Sequence, residues 1–144
     1  MGNYLAVGLS ILVGGFISVQ SAINSELGKQ IGGLAAALVS FSVGTIALAL
    51  FYIFSSESGL RGVFKVSPYL LIGGFLGAMF VFSMIKVLPN IGAGAAIAGV
   101  IAGQLLLAML VDHFGWFGVT KIAVSWQRGI GAVLLLVAVK LIGK

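Results

Sequence analysis

From residue 4 to residue 19 the only clearly polar side chains are Ser10 and Ser18, and four further apolar runs follow along the chain. About 20 apolar residues is the length of a helix that crosses the hydrocarbon core of a bilayer. Lipid offers peptide groups no hydrogen-bond partner, so such a chain must form a helix bundle or a closed barrel. The runs are continuously apolar, with no alternation, and each is about twice the ~10 residues of a membrane strand. Helices are therefore expected. The charge content agrees: 8% of the 144 residues are charged, where soluble domains carry about a quarter.

The spacing predicts one all-α integral membrane domain over residues 1–144, with helices at about 4–27, 34–54, 68–87, 91–111 and 125–142. A turn at Ser55-Ser56-Glu57-Ser58-Gly59 ends the second, and Pro68 suits the first turn of the third. Lys86, Pro89 and Asn90 close that helix. Ser125 is a natural N-cap for the last and shortest helix, with Arg128 and Lys140 snorkelling at its ends.

Polar groups inside such helices need a reason. Gln20 and Asn24 stand four apart, so both amides share one helical stripe. That stripe is either a helix–helix contact or the wall of a cavity. Gln104 is the other deep amide, and Ser40, Ser42 and Thr45 add hydroxyls that can also bond their own helix carbonyls. Gln20, Asn24, Gln104, Ser40, Ser42 and Thr45 form the candidate solute-binding set. Their other reading is interhelical glue, worth ~0.6–2 kcal/mol apiece. Small residues at helical spacing, including Gly14, Gly44, Gly73, Gly77, Gly99 and Gly103, predict close helix packing, since association in lipid rests on approach and not on the hydrophobic effect.

At the run ends, Glu26 and Lys29 read as a surface pair, and Asp112 with His113 as a polar helix end. A metal centre needs three or four ligands, and this chain has one His and no Cys, so neither metal nor cofactor is expected. With three acids and no phosphate-binding loop, an enzyme is not expected either. The basic residues are scattered singly, which argues against nucleic acid as a partner.

Their placement speaks to orientation. With five helices, Arg61, Lys65, Lys121 and Arg128 fall on one side and Lys29, Lys86, Lys140 and Lys144 on the other, a difference of 4 − 4 = 0. Orientation is set by Lys/Arg asymmetry, so a balanced chain is expected to insert both ways up. Two opposed copies would pair as an antiparallel homodimer of ten helices, the inverted-repeat plan of many transporters made from one chain.

Several motifs carry a family resemblance: Gln20-x-x-x-Asn24-x-x-Leu27, the run Ala37-Leu38-Val39-Ser40-Phe41-Ser42-Val43-Gly44-Thr45, and Gly73-Gly74-x-x-Gly77. To these are added Pro89-x-x-Gly92, Gly103-Gln104, Asp112-His113-Phe114-Gly115-x-x-Gly118 and Arg128-Gly129. In order and over nearly its whole length, the chain resembles the five-helix, dual-topology YdcZ-type family of the drug/metabolite transporter superfamily. The resemblance implies a half-size transporter of the cell inner (plasma) membrane. Its expected action is alternating access as an antiparallel dimer on a small polar or amphipathic solute. It names no substrate. Small multidrug transporters, distant relatives, place an acid in the middle of the first helix; this chain has none there, Glu26 lying beyond Asn24, which speaks against proton-coupled export by that mechanism. A narrow dual-topology channel and a non-transporting membrane scaffold are the alternative readings.

Overall fold

The computed structural model describes residues 3–56 and 58–143, and every regular element among them is helical. Glu57, inside the predicted turn at 55–59, and Lys144, counted in the charge balance, lie outside the described residues. Helix α1 (Asn3–Ile31) is followed by α2 (Gly33–Ile53), and 3-10 turns at Gly59–Lys65 and Pro68–Leu71 lead into α3 (Ile72–Phe114). A short 3-10 turn, Trp116–Gly118, precedes α4 (Trp126–Ile142). Three stretches are long and apolar enough to cross a membrane: Tyr4–Ile31, Gly33–Ile53 and Pro68–Phe114.

Helix α1 runs past its predicted end near residue 27, because Glu26, Leu27, Lys29 and Gln30 are all good helix formers. It stops at Gly32, the single non-helical residue before α2, with φ 87° and ψ 148°. That region is open to glycine and hardly to anything else. Gly32 N–H donates to the Gly28 carbonyl, and its own carbonyl accepts from Ala36 N–H, both at 3.0 Å. One residue thus reverses the chain without orphaning its polar groups.

The third and fourth predicted helices meet differently from expectation. Pro89 and Asn90 do not end the helix; α3 continues through them and is non-helical only at Gly92, at φ 79° and ψ 161°. Proline removes one intrahelical donor. The Asn90 side-chain amide bonds the Lys86 carbonyl at 2.7 Å, adding a contact to the same turn. Gly92 then supplies a backbone state that β-carbons forbid. The chain divides at this place into two compact units, 1–90 and 91–144.

In the first unit the core is small and close-packed. Ala36 and Ala37 of α2 meet Val81 and Ile85 of α3, with Leu27, Phe80 and Phe82 packed against them. Ile85 projects into a notch walled by glycines: a β-carbon on Gly28 would run into its Cγ2, and one on Gly33 would stand 3.4 Å from it. Phe82 borders Gly33 and carries the Lys86 ammonium 4.3 Å above its ring centroid.

In the second unit the buried side chains are alanines: Ala96, Ala98 and Ala102 of α3 and Ala132 of α4. Gly115, left-handed at φ 68°, ends α3 in the manner of a helix-stop glycine. Phe117 (φ 58°) and Gly118 (φ 79°) continue the reversal. Ile122 N–H then bonds the Asp112 carbonyl at 2.8 Å. Ser125 caps α4 as expected, its hydroxyl accepting from Arg128 N–H at 3.3 Å.

The predicted packing glycines divide into two groups. A β-carbon on Gly77 would approach Phe41 at 3.4 Å, whereas one on Gly14, Gly44, Gly73, Gly99 or Gly103 would meet no neighbour within 4 Å. In the first unit, close approach between helices is therefore made at Gly28, Gly33 and Gly77.

Gly28→Ala is expected to destabilise the purified protein by about 1–3 kcal/mol, the usual cost of overpacking. Ile85→Ala in the same chain should recover part of that loss, and Gly14→Ala should be neutral. Thermal unfolding in detergent reads all three. Gly92→Ala should cost about 1–3 kcal/mol, because its positive-φ, extended backbone is essentially reserved for glycine, while Gly99→Ala costs nothing comparable.

Candidate functional site

The residues of the predicted solute set occupy different places. Gln20, at the edge of α1, joins Ser40, Phe41, Gly44, Thr45 and Leu48 of α2 around a cleft of about 180 Å³. The α2 members recur at i, i+1, i+4, i+5 and i+8, so one helical face presents them. Three predicted polar residues, Gln20, Ser40 and Thr45, are brought together here by the hairpin at Gly32. Phe41 forms a wall of the same cleft, and its ring edge lies over Gly77. A side chain at position 77 would occupy the space into which that ring extends.

Asn24 lies elsewhere. Four residues advance a helix by about 40° beyond a full turn, and this offset separates the two amides. Gln20 is exposed at the cleft, whereas Asn24 is only 6% exposed, on the α1 stripe that also buries Ser21 and Ser25 and continues to Gly28. Its Nδ2 is buried and has no hydrogen-bond partner. A buried, unpaired amide donor costs about 1–3 kcal/mol. The position therefore calls for an acceptor: water, a solute oxygen or a group from another chain.

Ser42 and Gln104 are exposed, and neither lines this cleft. Ser10 and Ser18 bond the carbonyls four residues back, at 2.9 and 3.1 Å, which settles their polar needs inside α1. Glu26 and Lys29 form the surface pair, 2.8 Å apart and well exposed.

In the second unit, Asp112 and His113 are more than a helix end. Arg128 Nη1 donates to Asp112 Oδ2 at 3.2 Å, with both side chains mostly buried at 34% and 24% exposure. His113 Nδ1 accepts from Val124 N–H at 3.3 Å, and its ring meets Phe114 edge-on, which in turn stacks on Trp116. Among the described residues no cluster of three or more His, Cys, Asp or Glu stands ready for a metal ion. Sequence reasoning placed Arg128 at the membrane surface and missed its partner. The two stand sixteen positions apart, across a turn, a 3-10 and an irregular stretch at 115–125, and no helical period links them. The signal available was opposite charge at the two ends of one short connection.

Apolar helices long enough to span a bilayer define an integral membrane protein. Residues 5–141 match the family described as "Putative inner membrane exporter, YdcZ". The chain belongs to this family, and it is an inner-membrane protein. It is similar to the protein named "Inner membrane protein YdcZ" from Escherichia coli (strain K12), at 28% identity over all of this chain and 98% of that protein. No solved structure matches the chain.

Replacing Asn24 with leucine, which is close to isosteric, removes the unpaired donor. In the solute-free protein Asn24→Leu should raise stability by about 1 kcal/mol, read as a higher unfolding midpoint in detergent. A loss of similar size would mean that another group satisfies the amide.

Proposed function

We propose that the protein is an inner-membrane exporter of a small polar or amphipathic solute, with the Gln20–Ser40–Thr45 cleft as a contact surface for that solute. The observation that carries this reading is the cleft itself. In a family of exporters, polar side chains from two helices face one concavity lined otherwise by Phe41, Gly44 and Leu48. Gln20 offers both donors and an acceptor, and the two hydroxyls offer either. The cleft is therefore suited to an uncharged polar group beside an apolar one.

The working unit in this proposal is an antiparallel homodimer acting by alternating access. Each copy crosses the membrane five times, the 68–114 stretch supplying two of the crossings. At 47 residues that stretch would span about 70 Å as one helix, more than twice the ~30 Å hydrocarbon core. Helix α4 has 17 residues, about 26 Å, which suits a slightly thinned or snorkelled crossing. The even charge balance supports two-way insertion, and the unfilled glycine stripes at Gly14, Gly73, Gly99 and Gly103 supply faces on which a second copy could approach closely.

Two measurements test these points. Reconstituted in liposomes and screened against small polar solutes, Gln20→Ala and Ser40→Ala should each lower uptake about 3- to 10-fold, one neutral hydrogen bond's worth. Gly77→Leu should do the same by pushing Phe41 into the cleft, although it touches no polar group there. Transport untouched by all three would remove the cleft from the mechanism. For topology, the cysteine-free chain accepts single reporters at Ser67→Cys and Gly143→Cys. In intact cells about half of each should be protected from a membrane-impermeant thiol reagent. Uniform labelling or uniform protection would defeat the antiparallel dimer.

A further inference from the structure

A concavity within the second unit has a chemistry different from that of the Gln20 cleft. It measures about 380 Å³ and is lined by Leu105, Ala108, Met109 and Asp112 from α3 and by Arg128, Gly131 and Leu135 from α4. The α3 members fall at i, i+3, i+4 and i+7, and the α4 members at i, i+3 and i+7. Each set is one stripe of a helix. The groove therefore runs between two helix faces, with the Asp112–Arg128 pair at one end and only apolar side chains toward Leu105 and Leu135. From Asp112 back to Leu105 the groove extends about 10 Å.

The pair at its head is only partly used. A guanidinium has five N–H donors and a carboxylate about four acceptor positions, yet one contact, Nη1 to Oδ2 at 3.2 Å, joins them. Both side chains keep some exposure, so each retains capacity for a ligand. A ligand bearing only an anion would have to share Arg128 with Asp112 and stand beside a like charge. A ligand bearing only a cation would meet the mirror problem at Arg128. A head carrying both charges sets its anion against Arg128 and its cation against Asp112, leaving no half-buried charge unpaired.

The geometry points to a binding site for a zwitterionic amphiphile: a head with one anionic and one cationic group at Arg128 and Asp112, and an apolar tail along the groove beside Met109, Gly131 and Leu135. Gly131 keeps the floor open, since a β-carbon placed there would meet nothing within 4 Å. Two sources share this chemistry, an aminophospholipid of the surrounding bilayer and a free amino-acid-like amphiphile.

The test uses the full chain in a non-ionic detergent, with binding followed by native mass spectrometry. Three probes share an octyl-length tail: 2-aminodecanoate with both charges, decanoate with the anion alone and nonylamine with the cation alone. 2-Aminodecanoate should bind at least about tenfold more tightly than either of the others. Asp112→Asn and Arg128→Gln should each bring it down to their level. Gly131→Leu fills the groove while leaving the ion pair in place, and with circular dichroism unchanged it should abolish the binding of 2-aminodecanoate. Equal binding of the three probes, tighter binding of decanoate alone, or binding that survives Gly131→Leu would each overturn the site and leave the ion pair a clamp between helices. With the preference established, competition by dihexanoylphosphatidylethanolamine identifies the bilayer lipid as occupant, and failure to compete identifies the free amphiphile.

Discussion

Ile85 seated between Gly28 and Gly33 is the contact on which the first unit depends. In water a chain can hold itself together by burying any large apolar surface, but lipid removes that advantage because its tails are as apolar as leucine. What remains is closeness of fit. The Gly32 reversal brings α1 and α2 together at their ends, and the two flanking glycines leave a notch only as wide as a branched side chain. With Ile85 in it, Ala36 and Ala37 can lie against Val81, and no large side chain needs to intervene. The cleft at Gln20 follows from the same hairpin, since α1 and α2 supply all of its lining.

Much of this could be read in the sequence, and the reason is physical. Continuous apolar runs of membrane length leave helices as the only open-chain solution, so the all-helical class was legible before any coordinate. The Ser125 cap and the Glu26–Lys29 pair were legible too, because each is set by residues within one turn of one another. The break expected between the third and fourth helices falls at Gly92, two residues past Asn90. Proline raises the cost of a helix without forbidding it, and the residue that could leave the helical region cheaply was Gly92.

The candidate site was legible only in part. Period alone put Gln20 and Asn24 on one stripe, yet a stripe has width, and packing assigned its two margins to different surroundings. Ser40 and Thr45 join Gln20 because the hairpin turns α2 back along α1, a tertiary fact that hydroxyl spacing cannot carry. Ser42 lies on another face of the same helix, and Gln104 belongs to the second unit. The Asp112–Arg128 pair was hidden for a similar reason. It is made by an irregular connection whose path depends on Gly115, Phe117 and Gly118, three residues of uncommon backbone geometry within four positions.

Among the described residues no large side chain is wholly enclosed, and the buried positions are held mainly by alanine, serine and a few branched residues. This distributes evolutionary freedom unusually. A leucine that looks outward into hydrocarbon can become valine, phenylalanine or methionine at small cost, because the solvent on that side has no shape to match. The tolerance stops at the small inward positions, where a single added carbon has nowhere to go. Lineages of such a protein can therefore drift far in overall identity while a sparse set of glycines and alanines stays in register, and it is this sparse set, more than the percentage, that would date or group them.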